Sequence, residues 1–406
     1  MKKKIYVFIF LILLKISVFS QENFFEDYIY KKNIKTVQLH KNGWQLAPPI
    51  IEKLSFDDLS NDTKDYSYTF IHCNSDWESS ELMTFDYLDG FEENQISDFE
   101  FYLIFPNEDI KFKISGNYIL MVYEDFEKNN VILTKRFSIV EHLVEIKTDI
   151  HRPQNLNFFD NGQEIDFIIE TSSFPIRNPF NDLKVIVTQN GRWDNSKKNL
   201  EAKFIKENEL IYNFEKENIF LGGNEFRFFD IKTFDFESEG VEKIFFTDSI
   251  YRVLIENGKS RNFDDYRYYE DFNGKFFIDL RRSMNEIEIS ADYAYVFFNF
   301  PYEIPFLDGD IYVFGALTNW KINKENKMIY NFEKKSYQLK LYLKQGLYNF
   351  SYIFASKKTQ EIKENFFEGN NYETENDYII YVFLSRPGDN YERLIALNFS
   401  NSLKKL

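Results

Sequence analysis

The feature that most limits what this chain can fold into is an apolar–polar alternation of period two, repeated along most of its length. Successive side chains of a strand leave opposite faces, so period two marks strands with one buried face. Tyr66, Tyr68, Phe70 and His72 alternate with Ser67, Thr69, Ile71 and Cys73. Residues 118–123 form a continuous apolar strand, followed by a polar turn at 127–130 and a return strand over 131–140. Residues 183–189 form another strand, and Asn190-Gly191 supplies the positive φ angles of a tight turn. Later, Tyr337, Leu339, Leu341 and Leu343 alternate with polar residues, and Tyr348, Phe350, Tyr352 and Phe354 repeat the pattern after Gln345-Gly346. Leu200, Phe204 and Ile211 fit one helical face. Leu210, Tyr212 and Phe214 fit a strand equally well, which favours a hairpin turning at 206–209.

Many strands separated by turns predict an all-β protein, and at about 100 residues each the chain accommodates three consecutive immunoglobulin-like β-sandwiches. The expected boundaries are 21–143, 144–285 and 286–406. One seam falls near 143–153, where His151-Arg152-Pro153 interrupts, and the other near 282–288. No Gly/Ser-rich or Pro-rich linker separates them, which predicts a stiff rod of domains.

Residues 1–20 read as a secretory signal peptide. Lys2, Lys3 and Lys4 precede an apolar run over 5–14, and Ser20 precedes the expected cut. That run is shorter than the roughly 20 apolar residues a membrane-spanning helix needs. The chain carries a formal charge of −16, more negative still once the signal lysines leave, which disfavours bulk attraction to nucleic acid or anionic lipid. Cys73 is the single cysteine, so the chain has no internal disulfide. It reads as a small buried hydrophobe. The 46 Phe and 27 Tyr do not by themselves mark a ligand surface, because Phe, Tyr, Ile, Lys and Asn share AT-rich codons.

Catalytic signatures are missing from the sequence: nucleophile elbow, phosphate-binding loop, dinucleotide fingerprint and zinc-protease motif. His40, His72, His142 and His151 stand at no metal-ligand spacing. The acidic clusters Asp57-Asp58, Glu108-Asp109, Asp308-Gly309-Asp310 and the stretch 271–274 spell no complete calcium loop, and turn chemistry accounts for them. The expectation is a protein that works by binding, with no catalytic residue, no cofactor and no metal.

More specific residues begin at 54. Ser55-Phe56-Asp57-Asp58-Leu59, Asp65-Tyr66, Ile71-His72-Cys73, Asp76-Trp77, Tyr87-Leu88-Asp89-Gly90-Phe91, Phe105-Pro106-Asn107-Glu108 and Ser115-Gly116-Asn117-Tyr118 follow in order. Together they resemble the first domain of the plug protein of the type IX secretion system. The likeness continues through Phe174-Pro175-Ile176, Asn178-Pro179, Arg192-Trp193-Asp194 and Gly222-Gly223-Asn224-Glu225-Phe226-Arg227 to the stretch 271–277. One departure is a shorter segment between Glu100 and Phe105 than the family pattern carries.

The resemblance implies a periplasmic subunit associated with the outer membrane through a giant β-barrel translocon (SprA, or Sov), whose periplasmic end it closes when no cargo is engaged. Exposed loop residues are the expected contacts with that barrel: Phe91, Asn94, Arg192, Trp193 and Asn224. A second, weaker resemblance joins the last domain to glycogen-binding modules. It runs through the stretch 311–315, Thr318-Asn319-Trp320 and Gly346-Leu347-Tyr348. It implies an alternative role in carbohydrate binding, with Trp320 stacking on sugar. The second sugar-stacking Trp of those modules is replaced here by Ala355-Ser356-Lys357-Lys358-Thr359.

Overall fold

The structure, a computed structural model, describes residues 24–40, 53–60, 62, 64–90, 94–96, 102–107, 110–213, 216–281 and 290–403. The expected signal peptide, Phe91, residues 97–101, the pair Glu108-Asp109 and the seam near 282–288 lie outside the described residues. The described chain is almost entirely β. Its α-helices are single four-residue turns such as Thr84–Tyr87 and Pro179–Asp182.

Three large apolar cores organise the strands. The first lies under a five-stranded sheet ordered Tyr28–Ile29, Val131–Ile139, Gly116–Glu124, Tyr66–Cys73, Asn94–Gln95. A three-stranded sheet of Ile34–His40, Lys53–Asp58 and Tyr102–Ile104 faces it. Tyr66, Tyr68, Phe70, Tyr118, Leu120 and Val122 fill the space between, as the alternation predicts.

The second core lies between the sheet carrying Glu145–His151 and Gly162–Glu170 and a sheet of Leu183–Gln189, Asp377–Leu384 and Arg393–Asn401. Leu183–Gln189 and Asp377–Leu384 pair antiparallel, with Val185 opposite Val382. The 206–209 turn closes the hairpin of Phe204–Lys206 and Glu209–Tyr212. Asn190 and Gly191 both have positive φ, 57° and 71°, so the strand turns back sharply after Gln189.

The third core runs from Phe229 to Phe367. One of its sheets is built around Gly346–Ser356 and the other around Tyr293–Pro301 and Ser336–Lys344. The turn at Gln345-Gly346 therefore passes the chain from one sheet to the other. A Cβ at Gly346 would lie 2.1 Å from the Phe277 carbonyl oxygen, so the crossing requires glycine.

Two expectations are corrected here. The second and third sandwiches are not consecutive over 144–285 and 286–406. Asp377–Leu384 pairs with Leu183–Gln189 and Arg393–Asn401 extends the same sheet, so the third core is inserted into the second, leaving near Gly222 and returning near Tyr372. The stretch Tyr378–Leu384 is wholly buried, and the apolar edge of the second core satisfies it. Nor is the arrangement an end-to-end rod, because the first core touches both others. Lys344, 4% exposed, pairs with Asp57 of the first core at 2.8 Å, and the Tyr293 hydroxyl donates to the same carboxylate. Lys321 pairs with Glu26 at 2.7 Å. Toward the second core, Trp77 meets Trp193, and Lys198 pairs with Asp76.

Candidate interaction surface

Most of the residues expected to face a partner are instead built into joints between the cores. The turn at Asn190-Gly191 aims Arg192 toward the third core. There it is 4% exposed, and its guanidinium donates to both Glu364 oxygens at 2.6 and 2.7 Å and to Asp194. Burial opposes its charge, but the two carboxylates outweigh that and raise its pKa further. The same guanidinium lies 4.7 Å from the centre of the Trp320 ring and 5.0 Å from that of Phe314. Trp320 also meets Phe226 edge-on, and Gly274 lies so close that a Cβ there would sit 2.2 Å from the indole. This arrangement employs Trp320 in packing between the second and third cores.

Trp193 packs edge-to-face on Trp77 at 5.0 Å and lies against Tyr381 at 4.9 Å. It therefore joins the first core to the second, with Arg136 over Trp77. Asn224 stands where the chain leaves for the third core. Its Nδ2 donates to the Glu368 carbonyl, and its Oδ1 accepts from the Glu225 amide. Asn94 pairs through its backbone with Tyr68 on a sheet edge. The sequence missed the inter-core role of Arg192 because its partner Glu364 lies far along the chain.

Cys73 and His72 are both buried. Burial pushes the Cys73 thiol up to about 12, so it stays protonated at neutral pH, and holds His72 below its ordinary value. His72 is fixed by Ser80 and by donating to the Ser115 carbonyl at 3.1 Å.

The insertion joint holds a set of buried acids. Glu225 is fully buried, and its Oε1 accepts from the Tyr266 hydroxyl at 2.5 Å and the Glu375 amide at 3.1 Å. Burial raises Glu225 to about 7 and Asp271 to about 6. Glu368, also buried, is held below its ordinary value because Arg227 and Arg261 outweigh its desolvation.

What is exposed lies elsewhere. Between Ile250–Ile255 and Phe276–Ile278 runs a long irregular loop. Irregular loops of that length are uncommon in compact folds and are often functional. Arg261 anchors it to Glu368, and Asn262 Nδ2 donates to the Phe366 carbonyl, while Phe263 projects at 96% exposure. Phe366 meets Phe306, whose chain neighbour Leu307 is 90% exposed. Ile304 and Phe332 are also exposed, and the Tyr330 hydroxyl ties their two segments by donating to the Tyr302 and Glu303 carbonyls. Phe263, Ile304, Leu307 and Phe332 are thus exposed apolar side chains on segments tied together by the Asn262–Phe366, Phe366–Phe306 and Tyr330 contacts. Large apolar side chains left this exposed are candidates for an interaction surface.

The register of Glu145–His151 on Gly162–Glu170 also gathers His151, Glu164 and Asp166, which sequence spacing had not suggested.

Residues 34–141 match the family model described as the type 9 secretion system plug protein 1st domain. A crystal structure of a hypothetical protein from Parabacteroides merdae ATCC 43184 is similar over 93% of this chain and 99% of its own. It shares 33% sequence identity, with a TM-score of 0.88. No curated protein matches.

Proposed function

The chain belongs to the type IX secretion system plug protein family, and from that premise we propose that it is a non-catalytic subunit closing the periplasmic end of the translocon pore when no cargo is engaged. A role in type IX secretion, and with it a place in the cell envelope, follows from the family itself. The observation that carries the finer reading is the family match over 34–141, the core that touches both of the others.

A pore wide enough for folded cargo leaks small solutes unless something rigid fills its end. Cores locked pairwise by Trp77–Trp193, Arg192–Glu364 and Asp57–Lys344 suit that task, because the body can be displaced without unfolding. No described helix is long and apolar enough to cross a membrane, which fits docking on a barrel through a surface. The apolar end bearing Phe263, Ile304, Leu307 and Phe332 is the surface this reading assigns to the giant outer-membrane barrel of the system.

Purification of the endogenous protein from gently solubilised envelopes tests the assignment. Recovery of the giant barrel in stoichiometric amount is the expected result. Recovery of the chain alone, across detergents that preserve the barrel, would count against it.

A further inference from the structure

Antiparallel pairing sets His151 opposite Glu164, and Asp149 opposite Asp166. Glu164 and Asp166 are two apart on one strand, so they share a face, and His151 shares it across the ladder. Ile165 and Phe167 take the other face, in the second core. One ligand atom from each of His151, Glu164 and Asp166 lies within 4.8 Å of the others. His151 Nε2 stands 3.1 Å from Asp166 Oδ2.

Polar atoms of all three also make hydrogen bonds outside the cluster. His151 Nδ1 donates to the Arg152 carbonyl at 3.0 Å, which turns Nε2 inward. Asn218, fully buried, donates through Nδ2 to Asp166 Oδ1 at 2.9 Å and to the Ile165 carbonyl. The Gln154 amide donates to Glu164 Oε2 at 3.3 Å. Outer partners of this kind orient the ligands of metal sites and fix the tautomer of a ligating histidine.

We propose that His151, Glu164 and Asp166 form a site for a divalent transition metal of the zinc or manganese class. One imidazole and two carboxylates suit such ions, with water completing the coordination. The site lies at the base of the loop 152–161, and both chain crossings to the third core rest on that loop. The Gly222 amide donates to the Asn161 carbonyl, the Tyr372 amide donates to the Asp160 carbonyl, and Arg152 lies over the Tyr372 ring at 4.3 Å. A bound ion therefore stiffens the joint through which the third core is inserted.

The competing arrangement is an ordinary ion pair between protonated His151 and Asp166. The two differ by a proton: the ion must displace the proton on Nε2, releasing one proton for each metal bound.

Calorimetric titration of the tag-free full chain with Zn2+ and separately with Mn2+, at pH 7.5 in two buffers of different ionisation heat, tests this. The expected result is one equivalent of at least one ion, about one proton released, and a higher melting temperature. His151→Gln and Asp166→Asn should each weaken binding at least tenfold. In wild-type protein the His151 ring resonances should shift on addition of the ion, a readout independent of how the variants fold. Absence of binding, binding unchanged in both variants, or unshifted His151 resonances would overturn the site.

Discussion

Two nine-residue strands, Gly116–Glu124 and Tyr293–Pro301, sit at the centres of their sheets yet have opposite surroundings. Every residue of the first is buried, whereas the second alternates between buried and half-exposed up to its exposed last residue, Pro301. The outer side of the first is covered. Ile119 packs with Cys73 and Trp77 beside Trp193, and Met121 and Tyr123 pack under Phe24 and Tyr30. The outer side of the second engages the first core through Tyr293. Beyond it Tyr295 is half-buried, under the Lys340 amine and beside Tyr342. A buried outer face marks a joint, and an alternating one marks surface still available to something else.

The sharpest way to break that comparison is to truncate one aromatic on each side. Trp77→Ala should cost about 3–5 kcal/mol, as for a large core side chain, whereas Tyr295→Ala should cost about 1 kcal/mol or less. Equal losses in urea unfolding would mean that burial on the outer face does not distinguish joint from surface.

Ionic contacts sharpen it next. Asp57→Asn leaves the buried Lys344 ammonium without its carboxylate and should cost about 3 kcal/mol. Glu303→Gln, which breaks the exposed pair with Lys335, should leave stability nearly unchanged, because solvent screens that pair.

How much of this was legible in the sequence depends on range. The strands 66–73, 118–123, 183–189 and 337–343 could be read because period two is a local property. Partner choice is not local. Nothing in the apolar run of Asp377–Leu384 says that it pairs with Leu183–Gln189 across an inserted core. Arg192, beside Asp194 and after a Gly turn, reads as surface, and only Glu364 in the third core explains its burial. His151, Glu164 and Asp166 meet through strand register, which a search for ligand spacing does not examine. The exposed end at Phe263 and Leu307 was hidden by the abundance of aromatics elsewhere.

The insertion joint differs from the other joints in being acidic, and pH separates them. Glu225 and Asp271 keep their protons in the folded protein up to about 7 and about 6, while in the unfolded chain they ionise near 4. Between those values the folded state binds more protons, so these groups make stability fall as pH rises from about 4 to 7. His72, held neutral by burial, acts in the opposite sense below its ordinary value. The informative quantity is therefore the difference from Glu225→Gln. That variant should remove a decline on the order of 1–3 kcal/mol across the window, measured as urea midpoints at pH 5 and pH 7. An unchanged slope would place the ionisation elsewhere.

The smallest effect on stability belongs to the exposed end. Phe263→Ser combined with Leu307→Ser should change unfolding by about 0.5 kcal/mol or less while lowering recovery of the giant barrel with the protein. A stable double variant that still recovers the barrel in full would move the contact to another surface, with the half-exposed face around Tyr295 next in line.

The central claim is that this protein closes a hole made by another. Its most direct measurement is envelope permeability to large antibiotics in four strains: wild type, deletion of this chain, deletion of the giant barrel, and deletion of both. Loss of this chain alone should make the envelope leaky, and loss of both should restore the barrier, because the leak needs the pore as well as the missing stopper. Equal leakiness with and without the barrel would contradict the account.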